Sequence, residues 1–330
     1  MSPDVVRFGV VGLGWWGGVL AEAARTSGHA EVTACFARTK ETRDAFGEAH
    51  GATPTSSYRE LLESDIDGVL IATPHSTHGE VMRLAAAAGK HIFVDKPFTL
   101  TVDDAERAIA AAEAAGVVLQ VGHNQRRSHG MRYARDLIAG GHLGLVQHIG
   151  AIHTMPVLFR ELPPWRQRAA EIPAGAMTPL GIHQLDNFHY LGGPIARVSA
   201  FSKRLIDTPG ELDDTTVINF EFASGATGSL FTSMISGPVT DVSVHGSEGS
   251  VWLRRDRPGV ETQRRGELER TSVDLPEFDT IADELGEFAR AIRGEVKPET
   301  GGAEGLETVR VLEAIVASAA AHGAVTEVRR

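Results

Sequence analysis

The stretch that most constrains the fold is a strand-like run over 5–11 passing directly into Gly12-Leu13-Gly14-Trp15-Trp16-Gly17. This is the G-x-G-x-x-G spacing of a dinucleotide-binding turn, opened by a strand and closed by a helix. Each glycine has its own task. Gly12 permits the tight turn, Gly14 lets the backbone approach a pyrophosphate, and Gly17 lets helix and strand pack closely. The helix start adds amide donors and the positive end of a dipole. The alternative is a glycine-rich turn of any α/β protein. The position between strand and helix favours dinucleotide binding by residues 12–17.

The following residues alternate short apolar strands with helices, as a doubly wound parallel sheet requires. Strands are predicted over 5–11, 31–37, 68–72, 91–94 and 117–121, and helices over 17–27, 39–50, 77–88 and 103–115. The texture changes after Gly122. A helix over 130–139 stops at Gly140-Gly141, and residues 145–275 read mostly as β. There Ile218, Phe220 and Phe222 alternate with Asn219 and Glu221, and Val242 and Val244 alternate similarly. Gly246-Ser247-Glu248-Gly249 reads as a turn between strands. Further helices are predicted over 181–191, 281–293 and 304–321.

Composition excludes several classes. A net charge of −11 gives no reason to expect nucleic acid or an anionic membrane as partner. Cys35 is the single cysteine, which rules out an intrachain disulfide and fits a reducing compartment. Residues 1–4 lack the basic and apolar regions of a secretory signal, and no apolar run is long enough to span a bilayer. The expectation is a soluble, cytoplasmic protein.

Three loops at strand ends carry the chemistry. An NAD site usually places an acidic residue about 20 positions beyond the glycines, where it bonds the ribose 2′-hydroxyl. Here that position is Ala37, followed by Arg38-Thr39, with Arg43 one helical turn on. With no carboxylate to repel a 2′-phosphate and Arg38 able to bind one, NADP is favoured over NAD. The alternative is a solvated Arg38 and mixed cofactor use.

Ala72-Thr73-Pro74-His75-Ser76-Thr77-His78 follows the third predicted strand at the edge where such sheets bind ligands. Read plainly, Ser76 or Thr77 is a helix cap and His78 a first-turn surface residue. His75 and His78 have no evident third ligand, so no metal is expected. The fourth strand delivers Asp95-Lys96-Pro97-Phe98 onto a loop. Lysine occurs only at positions 40, 90, 96, 203 and 297, and arginine cannot replace a lysine that must exchange a proton. A lysine beside a nicotinamide can hold and polarise a substrate oxygen; the alternative is an exposed loop lysine.

In combination, the glycine turn, Ala72-Thr73-Pro74 with His78, and Asp95-Lys96-Pro97-Phe98 resemble the glucose–fructose oxidoreductase / inositol dehydrogenase / rhizopine catabolism protein (Gfo/Idh/MocA) family. Gly122-His123-Asn124-Gln125-Arg126, Gly181-Ile182-His183-Gln184-Leu185-Asp186 and the 304–318 segment extend the likeness over essentially the whole chain. The resemblance implies an N-terminal Rossmann domain over 1–125 and an α+β domain over 126–330 with a mostly antiparallel open sheet. That domain would bind substrate, and its sheet would support a homodimer or homotetramer.

By the same resemblance, Lys96 hydrogen-bonds the reacting oxygen, Asp95 positions the ribose or Lys96, and His183 handles the proton, as an imidazole can near neutral pH. Asp186 shares a helical face with His183. His123, Arg126, Trp165 and Arg166 would border a sugar or polyol substrate. The implied activity is NAD(P)-dependent oxidation of a secondary alcohol, or its reversal. A cofactor-binding sensor, or transient cofactor use in glycosidic bond cleavage, are the alternatives. One departure stands out: where many relatives carry Asp four residues before the histidine, this chain has Pro179.

Overall fold

The computed structural model describes residues 5–208, 210–254 and 259–330. Residues 1–4, read above for a leader, and positions 209 and 255–258 of the predicted β region lie outside the described residues. The chain divides into two compact units, residues 1–124 with 279–306, and residues 125–278 with 307–330.

The first unit is built on six parallel strands: β1 (Val6–Val11), β2 (Ala30–Phe36), β3 (Thr53–Pro54), β4 (Gly68–Ile71), β5 (His91–Asp95) and β6 (Leu119–Gly122). Their order is β3-β2-β1-β4-β5-β6, which reverses direction between β1 and β4 and creates the switch point where doubly wound sheets bind ligands. The connections are α1 (Trp15–Thr26), α2 (Lys40–His50), α3 (Tyr58–Glu63), α4 (His78–Ala87) and α5 (Val102–Ala115). The two-residue β3 and the six-residue α3 were not predicted, being too short to show a period.

Helix boundaries follow local chemistry. Thr101 caps α5 by accepting from the Asp104 amide at 3.3 Å, Asp103 and Asp104 complement the dipole, and Gly116 ends the helix in the left-handed conformation. The strands β4 and β5 are apolar throughout their centres because helices cover both faces of a parallel sheet. A later helix, α8 (Thr280–Ile292), joins this core, with Phe288 stacked on Phe8 at 5.2 Å and packed against Phe93 at 5.8 Å. Its start is capped by Asp279, which accepts from the amides of Ile281 and Ala282.

The second unit opens with α6 (His129–Ala139), whose predicted stop falls where expected. Its nine-stranded sheet comprises β7 (Val146–Thr154), β8 (Ile195–Lys203), β9 (Thr215–Phe222), β10 (Thr227–Ser233), β11 (Val239–Gly246), β12 (Gly249–Arg254), β13 (Val260–Arg264), β14 (Thr271–Val273) and β15 (Thr326–Glu327). The order is β14-β13-β12-β11-β7-β10-β9-β8-β15, antiparallel except where β7 and β10 run parallel at its centre. The 246–249 turn joins β11 to β12 as predicted.

Strict alternation divides this sheet into two faces. One buries Ile149, Ile218, Phe220, Leu230 and Val244 against Ile182, Leu185 and Phe188 of α7 (Gly181–Gly192) and Leu312 and Ile315 of α9 (Gly302–Ala320). The other presents a row of apolar side chains that register in adjacent strands: Phe201, Val217, Phe231 and Ile152, exposed by 48, 38, 36 and 41%.

Candidate functional site

Strand register lines up the ends of the first sheet. Val11 pairs with Phe36 and Ile71, Ile71 with Val94, and Asp95 with Gly122. Gly12, Ala37, Ala72, Lys96 and His123 therefore leave from one edge. Lys96 is two strands from the glycine turn, roughly 10 Å at ordinary strand spacing.

The backbone demands read from the spacing are met at Gly12 and Gly17. Gly12 has φ +92°, and a Cβ there would lie 2.3 Å from the Ala72 carbonyl oxygen. A Cβ on Gly17 would lie 2.4 Å from the Gly12 oxygen, so helix and turn touch through backbone alone. A Cβ on Gly14 would meet open space. Gly14 is also the N-cap of α1, where no side chain caps the helix and no acidic residue occupies the first turn. Room, uncapped amides and an unopposed dipole fit a pyrophosphate. Leu13 and Trp16 pack on the core beneath, whereas Trp15 is 78% exposed with its ring 5.4 Å from that of Trp16.

At the end of β2, Arg38 is exposed and Arg43 folds back, donating from Nη1 to the carbonyls of Ala37 at 2.8 Å and Arg38 at 3.3 Å. Arg43 thus shapes the loop that displays Arg38. Thr39 caps no amide of α2 but pairs with the Thr42 hydroxyl at 2.6 Å. Cys35, just below, is buried, which pushes its thiol up to about 11 and makes it a poor nucleophile at neutral pH.

His78 is a fully buried strut, contrary to the surface position its sequence context allowed. Its Nδ1 lies 2.9 Å from the Pro97 oxygen and its Nε2 2.9 Å from the Thr73 oxygen. It thereby ties the loop after β4 to the loop carrying half-buried Lys96, whose peptide bond to Pro97 is cis. Thr77 does not cap α4; its hydroxyl lies 2.7 Å from both the Thr73 hydroxyl and the Pro74 carbonyl, bracing the same loop. Asp95 is buried at the end of β5 and His123 fully buried beyond β6.

The second unit organises α7 and the residues before it. His183 and Asp186 are both buried on that helix. Asp186 is engaged by Arg126, which donates from Nε at 2.8 Å and from Nη2 to the other oxygen, a bidentate pair with both side chains buried. The Arg126 guanidinium also lies 5.2 Å over the Tyr190 ring. The sequence pattern brings His183 and Asp186 to one helix, but the carboxylate faces a guanidinium supplied from 60 residues upstream. Trp165 and Arg166 sit on a short turn, stacked at 5.0 Å, with Trp165 packed on the Leu158–Ile172–Met234 cluster. Pro179 lies two residues before α7.

Four residues outside the predicted set join this region. Gln184 Nε2 lies 3.1 Å from Gln125 Oε1 and 3.2 Å from His153 Nδ1, while Asn187 Nδ2 donates to Gln184 Oε1 at 3.1 Å. The His153 ring stands 6.2 Å from that of His183. The only local sequence signal was Gln184 and Asn187 three apart on a helix; His153 comes from a distant strand.

A family described as "Oxidoreductase family, NAD-binding Rossmann fold" matches residues 6–123, and one described as "GFO/IDH/MocA C-terminal domain" matches residues 131–252. The chain is 29% identical over 316 residues to 1,5-anhydro-D-fructose reductase of Ensifer adhaerens, covering 93% of each chain. It is 27% identical over 319 residues to myo-inositol 2-dehydrogenase of Thermotoga maritima, covering 91% of this chain and 92% of that one. The crystal structure of an oxidoreductase domain protein from Kribbella flavida superposes with a TM-score of 0.90 at 25% identity, covering 99% of this chain and 100% of that one.

Proposed function

Because the chain belongs to the Gfo/Idh/MocA family of NAD-binding oxidoreductases, we propose that it is an NADP-dependent dehydrogenase or reductase of a secondary alcohol or ketone on a sugar-like or polyol substrate. The observation that carries this reading is Lys96, the residue directly beyond β5, at the sheet edge from which the glycine turn also leaves. A bound nicotinamide would supply the hydride acceptor or donor. Residues 12–17 hold the pyrophosphate through the amides at the start of α1. Ala72, Thr73 and Pro74 line the neighbouring loop, with Asp95 positioning Lys96. The Lys96 ammonium donates to the substrate oxygen and polarises it, and His183 takes the hydroxyl proton in oxidation or returns it in reduction. Arg126 and Asp186 support the helix that carries His183, while His123, Trp165 and Arg166 border the substrate.

Cofactor binding is assigned to residues 1–125, and substrate binding and assembly to 126–330. NADP is supported by the absence of an acid at Ala37 and by the exposed Arg38 on its Arg43-braced loop. The exposed apolar row Phe201–Val217–Phe231–Ile152 runs across adjacent strands, and the same row of a second copy about a twofold axis would cover it. It supports assembly into a dimer or a dimer of dimers. The single buried cysteine supports a cytoplasmic setting; no helix among the described residues is long and apolar enough to cross a membrane.

Calorimetric titration with NADP⁺, NADPH, NAD⁺ and NADH tests the cofactor assignment. Tighter binding of the phosphorylated pair is expected. A preference for NAD(H) would overturn the reading of Ala37 and Arg38, and binding of none would overturn the dehydrogenase reading.

A further inference from the structure

Buried amides beside His183 form a directed chain. Asn187 donates to Gln184, and Gln184 donates to both Gln125 and His153 Nδ1. Gln184, Asn187 and His153 are at most 2% exposed, so the bonds among these three are protected from exchange with water. An imidazole nitrogen that accepts cannot carry the proton, so the ring proton of His153 lies on Nε2. The opposite polarity would require every amide to turn over. As the chain stands, the atom left over among the described residues is Asn187 Oδ1, a buried acceptor. Reversal would strand the Asn187 amino group, a buried double donor, which is the costlier orphan.

We propose that Gln184 is a positioning residue for the proton step, holding His153 with its proton on Nε2 beside His183. This rests on the reading of His183 as the proton-handling group. The consequence is electrostatic as well as geometric. His153 stands 6.2 Å from His183 between ring centroids, and in this form it brings no second positive charge next to a ring that must itself gain one. Gln184 has the required chemistry because an amide donates and accepts at once. A carboxylate at the same place would only accept, and would draw a proton onto His153 Nδ1.

The test is ¹⁵N-histidine NMR of the full chain, with the His153 signals identified by their loss in His153→Gln. In the unaltered protein His153 Nδ1 is expected to be unprotonated; a protonated Nδ1 would overturn the proposal. Gln184→Glu, close in shape, is expected to move the proton onto Nδ1, and an unmoved proton would overturn it too. With the substrate found by screening, kcat of Gln184→Glu should fall roughly tenfold to a hundredfold with cofactor affinity retained. A proton that moves while kcat stays unchanged would refute the positioning role. If His183→Ala also kept full kcat, the fault would lie in the reading of His183, not in the amide chain.

Discussion

Asp186→Asn isolates the energetics of the α7 region. The substitution keeps shape and one acceptor but removes the charge that compensates Arg126. Both partners of the pair are nearly inaccessible, at 6 and 1% of side-chain area, so solvent cannot take over the role of the lost carboxylate. Removing one member of such a pair costs about 3–5 kcal/mol, because the remaining buried charge loses its counter-charge. The Tyr190 ring 5.2 Å away relieves part of this, about 1 kcal/mol. A net loss near 3 kcal/mol remains, or a fall in Tm of about 6–12 °C for a unit of this size. Thermal unfolding followed by circular dichroism at fixed protein concentration reads it. The double replacement Arg126→Met with Asp186→Leu should recover most of the loss, since an apolar pair needs no compensation. A loss below about 1 kcal/mol, the scale of an exposed pair, would refute the assignment of a buried, mutually dependent ion pair.

Gly12→Ala places a methyl group 2.3 Å from the Ala72 oxygen at φ +92°. It should abolish cofactor binding in calorimetry while the second unit keeps its own unfolding transition. Ala37→Asp with Arg38→Ala should shift preference toward NAD by roughly tenfold or more, from loss of a charge-assisted bond worth about 1.5–3 kcal/mol; competition titrations measure it. Phe231→Glu, in the middle of the exposed apolar row, should yield monomers in analytical ultracentrifugation. His148 and His245 stand opposite each other on β7 and β11. Burial holds both below the ordinary value of 6.5, with His148 and Arg270 lowering His245 further. Because their folded-state values are depressed, the unfolded chain binds protons first. Stability should be unaffected by these groups above pH 6.5 and fall as pH drops below it; urea unfolding from pH 7.5 to 5 checks the sign.

Much of the first unit was legible because its signals are local. β1, β4 and β5 each have a largely apolar centre, and the turn at Gly12–Gly17 states its own backbone demands. β3 escaped because two residues carry no period. The role of α8 escaped because Phe288 meets Phe8 across most of the chain's length, and an amphipathic pattern names a face without naming its partner. In the second unit, the alternation at Ile218–Phe222 announced a strand, but nothing local announced that β10 would lie parallel to β7. The candidate site divides the same way. His183 and Asp186 were visible as a helical pair, whereas the Arg126 bond to Asp186 and the link from Gln184 to His153 depend on residues 60 and 31 positions away. The bracing role of His78 was not legible because the two carbonyls it meets, at Thr73 and Pro97, become neighbours only when β4 and β5 pair.

The measurement that bears most directly on the proposed activity is nicotinamide absorbance during a sugar and polyol screen with NADP⁺, run in parallel on the unaltered protein and on Lys96→Met. Substrate-dependent reduction of the cofactor by the unaltered protein, with turnover lost in Lys96→Met while cofactor affinity is kept, is the predicted result. Turnover that survives in Lys96→Met with little loss would contradict the account.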